Sequence, residues 1–230
     1  MYAYTKTIVC LANSRKVSGR CIAGKEYADG VFGGWIRPVS ARRDEEISED
    51  DRRYQSGDYA NLLQIVTIPL AQPIPDGFQI ENHRIDDGYY WTRQGSVSWR
   101  HLYSAVDAVD TLWIDGHSSY NGINDRVPAD RAAVVSGSLL FLGPLALNLE
   151  VSAEGAAFGN FKRRVRAYFK HRGRRYAFAV TDPFIEHAYL AQVDGRYAVD
   201  QAFVCVSLAK VWDGFAYKLV AAIVTPERAP

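Results

Sequence analysis

Short apolar runs bounded by turn residues divide almost the whole chain, and that spacing leaves room for strands but for few helices. Residues 7–12, 20–24, 35–39 and 61–68 are the clear runs of the first half, with Pro38 confining the third to an edge or a strand end. Five more follow at 139–151, 162–170, 175–181, 197–208 and 215–224. Only 99–113 has helical spacing: Trp99, Leu102, Tyr103, Val106, Val109 and Trp113 recur at three- and four-residue steps behind the cap candidate Ser98. Aromatics at that spacing are core more often than ligand box, so the segment is expected to be a helix that plugs or bridges barrels.

The five runs of the second half fit a small Greek-key barrel of the OB type, a platform for oligonucleotides. The first half yields a similar strand count less cleanly. The expected fold is mainly β, two tandem OB-like Greek-key barrels with a bridging helix. Gly, Asn, Ser, Asp and Pro128 mark 116–137 as a connector. A boundary there gives a first barrel with helix and connector at 1–134 and a second barrel at 135–230.

One stretch concentrates the charge. Residues 162–175 carry eight Lys or Arg and no acid, in a chain whose formal net charge is +1. At a two-residue period Arg164, Arg166, Tyr168 and Lys170 share one face, while Val165, Ala167 and Phe169 share the other. Arg172-Gly173 can supply the positive φ values of a tight turn, after which 176–180 returns as a second apolar strand. Cations interleaved with an aromatic suit the phosphates and base faces of a single strand, so Arg164, Arg166, Tyr168, Lys170, Arg172 and Arg174 are the candidate nucleic-acid-binding residues. Lysines and arginines on an exposed strand also deter edge-to-edge aggregation, which is the alternative use of such a hairpin. Charge asymmetry favours binding: residues 135–230 hold 12 basic and 8 acidic side chains, against 15 and 18 in residues 1–134. Six acids within 44–51 read as an exposed loop or short helix and are assigned no chemistry.

Composition narrows the class further. Nearly half of the residues are apolar, and no apolar stretch is long enough to span a membrane. Nothing at the N-terminus resembles a secretion signal, so a cytoplasmic protein with no membrane partner is expected. Three cysteines, Cys10, Cys21 and Cys205, sit among apolar neighbours without zinc spacing, as reduced buried thiols do. No metal or other cofactor is implied.

Two motif clusters carry a resemblance. The first is Cys10-Leu11-Ala12-Asn13-Ser14-Arg15-Lys16, then 19–24, then Gly33-Gly34-Trp35-Ile36-Arg37-Pro38-Val39-Ser40. The second is Val180-Thr181-Asp182-Pro183, then Cys205-Val206-Ser207-Leu208, then 217–223. In content and order these resemble the dual OB-containing domain family, over nearly the whole chain. The resemblance implies two OB barrels in tandem and a nucleic-acid- or nucleotide-binding role in bacterial conflict and defence settings, with a protein partner from the same operon. It carries over no catalytic residues, and the acidic 44–58 region matches no fixed pattern.

Within the first cluster, Asn13, Ser14, Lys16 and Arg20 sit around a strand end, and Gly33-Gly34 would let backbone N–H groups approach a ligand beside Trp35 and Arg37. That makes a candidate ligand pocket, with a small-nucleotide sensor as the alternative function. Equally, Trp35 fits a core position and Arg37 a carboxylate of the acidic loop. A metal-dependent nuclease or phosphodiesterase is the weaker alternative, drawn from Asp182, Glu186, His187 and His171. Asp182-Pro183 is more economically a turn, and no phosphate-loop, zinc-protease or serine-hydrolase motif is present. A non-enzymatic module binding single-stranded nucleic acid is therefore the leading expectation.

Overall fold

The computed structural model describes residues 3–230. They form two compact units, one running to Ala105 and including Glu227–Pro230, the other Val106–Pro226.

The first unit is built on β1 (Tyr4–Lys16), β2 (Gly19–Ala28), β3 (Val31–Val39), β4 (Gln64–Pro73), β5 (Asn82–Ile85) and β6 (Thr92–Ser96). Antiparallel pairs β1–β2 and β2–β3, a parallel pair β3–β5 and antiparallel pairs β5–β4 and β4–β1 close a five-stranded barrel. The closure depends on β1, which pairs with β4 through residues 4–9 and with β2 through 8–16. A bulge between Cys10 and Ala12 marks the bend. Opposite it, a side chain at Gly24 would begin 2.1 Å from the Val9 carbonyl oxygen, so only glycine fits that close approach. Ile8, Cys10, Ile22, Ile36, Val66, Ile68, Leu70 and Trp91 fill the interior.

The second unit contains β7 (Arg126–Pro128), the single-turn α1 (Ala129–Ala132), β8 (Leu139–Ser152), β9 (Arg164–His171), β10 (Arg174–Val180), α2 (Pro183–Leu190), β11 (Gly195–Leu208) and β12 (Phe215–Val224). Pairs β8–β9, β9–β10, β12–β11 and β11–β8 are antiparallel, and β10–β12 is parallel. This is the strand order of the first barrel repeated, with a helix between the third and fourth strands. Asp182 caps that helix, accepting from the Phe184 and Ile185 amides, while its other carboxylate oxygen accepts from the Ile223 amide at 3.1 Å. Arg172 and Gly173 both have positive φ, 48° and 77°, so β9 and β10 are joined by the tight turn read from sequence.

Two expectations need correction. Helix over 99–113 is absent: a 3₁₀ segment spans Trp99–Ala105, and the chain beyond it is irregular. The apolar spacing is burial only in part, since Tyr103 is 51% exposed, and that burial is divided between two cores. Leu102 and Ala105 are buried in the first unit, whereas Leu112, with Val109 and Trp113 packed on its cluster, belongs to the second. For the same reason compactness divides the chain near residue 105, about thirty residues before the expected boundary. Residues 106–134 are tied to the second barrel: the Phe141 amide donates to the Asp107 carboxylate at 2.7 Å, His171 hydrogen-bonds the Val109 carbonyl at 2.7 Å, and Tyr176 donates to Asp115 at 2.9 Å. Ile123 bridges Ala177 on β10, and β7 pairs with β12, so the connector laces the seam where only two residue pairs join β10 to β12.

Candidate nucleic-acid interface

The register of the second sheet decides which cations gather. Lys170 lies opposite Arg175, Tyr168 opposite Ala177 and, on its other side, Asn148, while Glu150 lies between Arg166 and Arg196. Directly paired residues share a face. That face opens as a cleft of about 560 Å³ lined by Asn148, Tyr168, Lys170, Arg175 and Arg196, with Ala146 and Ile123 among its small and apolar walls. The Arg196 guanidinium lies 5.2 Å from the Tyr168 ring centre, and its Nε donates to Glu150 at 2.6 Å. Lys170 and Arg175 are exposed and make no ion pair among the described residues. Burial and the Glu150 carboxylate raise the Tyr168 pKa, so the ring stays neutral and protonated in ordinary buffers.

The candidate residues of the hairpin separate into groups. Tyr168 and Lys170 line the cleft, and Arg164 is exposed at the other end of β9. Arg166 is withdrawn from solvent, 6% exposed, its Nε donating to Glu154 at 2.6 Å and its NH1 to the Ala177 carbonyl at 3.0 Å, with Asp125 at 3.6 Å. Burial works against its charge, but the Glu154 hydrogen bonds and ion pair outweigh it and raise the pKa. Arg174 lies on the opposite face and pairs with Asp115 at 3.3 Å, and Arg172 sits in the turn, 4.0 Å from Asp110. Arg175, Arg196 and Asn148 were missed. A two-residue turn at 172–173 fixes Arg175 opposite Lys170, so that residue could have been read from sequence; Arg196 and Asn148 required the strand order.

The expected pocket residues of the first barrel have partners within it. Arg37 is 3% exposed and pairs with Glu81 at 3.1 Å, and Ser14 donates to the Cys21 carbonyl. Lys16 lies 3.8 Å from Glu45, and the Asn13 amide reaches the Ala60 carbonyl at 3.5 Å. Arg20 is held through its backbone to Ile47. Trp35 lies opposite Lys25 on β2, whose ammonium is 5.4 Å from the ring and donates to the Ala105 carbonyl at 2.7 Å. Gly33-Gly34 has no positive φ, and a side chain at Gly34 would meet nothing within 4 Å. None of these residues lines the cleft at Tyr168 or the two first-barrel clefts described below.

Two closed barrels of OB strand order, the second presenting a basic, aromatic cleft, define a tandem OB-fold module. The chain belongs to the dual OB-containing domain family, whose model matches residues 6–223. No curated protein matches it. No helix among the described residues is long and apolar enough to cross a membrane.

Proposed function

We propose that this protein is a non-catalytic module that binds single-stranded nucleic acid on the outer face of its second barrel. The observation that carries the reading is the cleft in which Tyr168 offers a ring face beside Lys170, Arg175 and Arg196. Two unpaired cations, Lys170 and Arg175, beside one aromatic supply phosphate neutralisation and base stacking together, and a stacked base must be unpaired. Asn148 adds an amide that can donate and accept at a base edge. Outside the cleft, Arg164 extends the positive surface along β9. Asp182, one of the catalytic candidates in sequence, is occupied in capping α2 and holding the Ile223 amide.

Fluorescence anisotropy with labelled single-stranded and double-stranded oligonucleotides, beside a panel of mononucleotides, tests this reading. Single strands should bind more tightly than duplexes and far more tightly than mononucleotides. Equal binding of a duplex, or a mononucleotide preferred over every oligomer, would exclude it.

A further inference from the structure

We propose that the first barrel carries a separate site for an organic cation, seated against Tyr89 and Tyr90 with Asp58 and Asp87 as counter-charges. Two adjoining clefts share those tyrosines as a common wall. One, of about 450 Å³, is lined by Tyr54, Trp91, Arg93 and Asp58 together with Thr5 and Thr67; the other, of about 260 Å³, by Asp50, Asp51, Arg53 and Asp87. Tyr90 is 51% exposed, with the Arg53 guanidinium near one side of its ring.

Charge selects the ligand class. Four carboxylates and two guanidiniums line the paired clefts, and a third guanidinium, Arg42, pairs with Asp51 and feels the charge of Asp87, which leaves a small net negative charge that favours cations over phosphate. Asp51 is already occupied by Arg42 and the Ser48 amide, and Asp50 lies 3.6 Å from Arg53. Asp58 and Asp87, one in each cleft, make no ion pair among the described residues. Aromatic faces rimmed by carboxylates are the arrangement that holds guanidinium and quaternary ammonium groups. The chain itself uses the surface this way: the Arg53 guanidinium lies 5.6 Å from the Tyr90 ring centre, and Arg52 lies 5.1 Å from that of Tyr59.

Titration calorimetry at fixed ionic strength, with choline, spermidine and an Arg-Gly-Gly-Arg peptide, measures the site directly. The controls are 3,3-dimethylbutan-1-ol, the uncharged carbon isostere of choline, and adenosine. Saturable binding of at least one cation is expected, several-fold tighter than either control, and the order among the three separates a small free cation from a basic protein segment. Tyr90→Leu should weaken it about three- to thirtyfold, the range of one cation–aromatic contact. Arg53→Gln, which vacates the Tyr90 face, should strengthen it. Denaturation of both variants, followed by circular dichroism, should keep a cooperative first-barrel transition, which verifies that they are folded. Equal binding of the isostere, preference for adenosine, an unchanged affinity in folded Tyr90→Leu, or no saturable cation binding overturns the proposal.

Discussion

The two barrels share strand order, a parallel closure and even the turn that joins their second and third strands, yet they present opposite chemistry. Asp29-Gly30 and Arg172-Gly173 adopt the same pair of positive φ values, 51° and 82° in the first barrel, 48° and 77° in the second. One turn carries an acid and the other a base. In the first barrel the cations near the second and third strands are consumed internally, Lys25 by a carbonyl and Arg37 by Glu81, while aspartates surround its exposed tyrosines. In the second, Lys170 and Arg175 are left to solvent beside Tyr168. Topology alone therefore does not set the ligand; what matters is whether a cation has a carboxylate of its own.

The largest expected effect breaks that comparison at Arg166, which sits on the binding strand but is paired like Arg37. Arg166→Ala should destabilise the second barrel by about 3–5 kcal/mol, because Glu154 and Asp125 would be left buried without their counter-charge. Chemical denaturation measures it; a stable variant with weakened strand binding would instead return Arg166 to the interface. Tyr168→Ala comes next, costing about 1–3 kcal/mol of strand affinity while leaving the salt slope nearly unchanged, since stacking releases few counterions.

A pH effect distinguishes the barrels without any ligand. Burial, only partly opposed by Asp115, lowers the Lys218 pKa to about 8 from the ordinary 10.5. Above pH 8 the folded chain gives up this proton while the unfolded chain keeps it, so stability of the second barrel should rise with pH. Burial and its hydrogen bond to Asp115 push Tyr176 up to about 12, which acts in the opposite sense above pH 10. Thermal unfolding between pH 8 and 10 should therefore show a rise that Lys218→Met lacks. The smallest effect is expected at Arg172→Asn, which keeps a residue tolerant of the turn and should change strand affinity by less than about 0.5 kcal/mol.

Strand periodicity made most of the fold legible. Val165, Ala167 and Phe169 are buried as their spacing required, and the turn at Arg172 followed from the glycine beside it. Periodicity along one strand, however, reports only which face a residue shares. Arg166 has the same parity as Tyr168 and Lys170, and only Glu154 and the Ser119–Asp125 loop, brought over it by the connector, bury it. The stripe at 99–113 failed for a related reason: spacing registers that residues are buried, not that they enter the same core. Arg196 and Asn148 sit on strands distant in sequence, and a cleft built across four strands has no local signature. Of the features that suggested a first-barrel pocket, the Gly33-Gly34 pair proves to be ordinary strand.

The central claim is that the unpaired cations beside Tyr168 bind a polyanion, and the salt dependence of the Lys170→Ala, Arg175→Ala double variant tests it most directly. If each cation displaces counterions from a single strand, the slope of log K against log salt should flatten by roughly 0.7 for every phosphate no longer neutralised, about 1.4 in all. An unchanged slope and affinity at every salt concentration would contradict the account and leave the cleft as no more than a solvated basic surface.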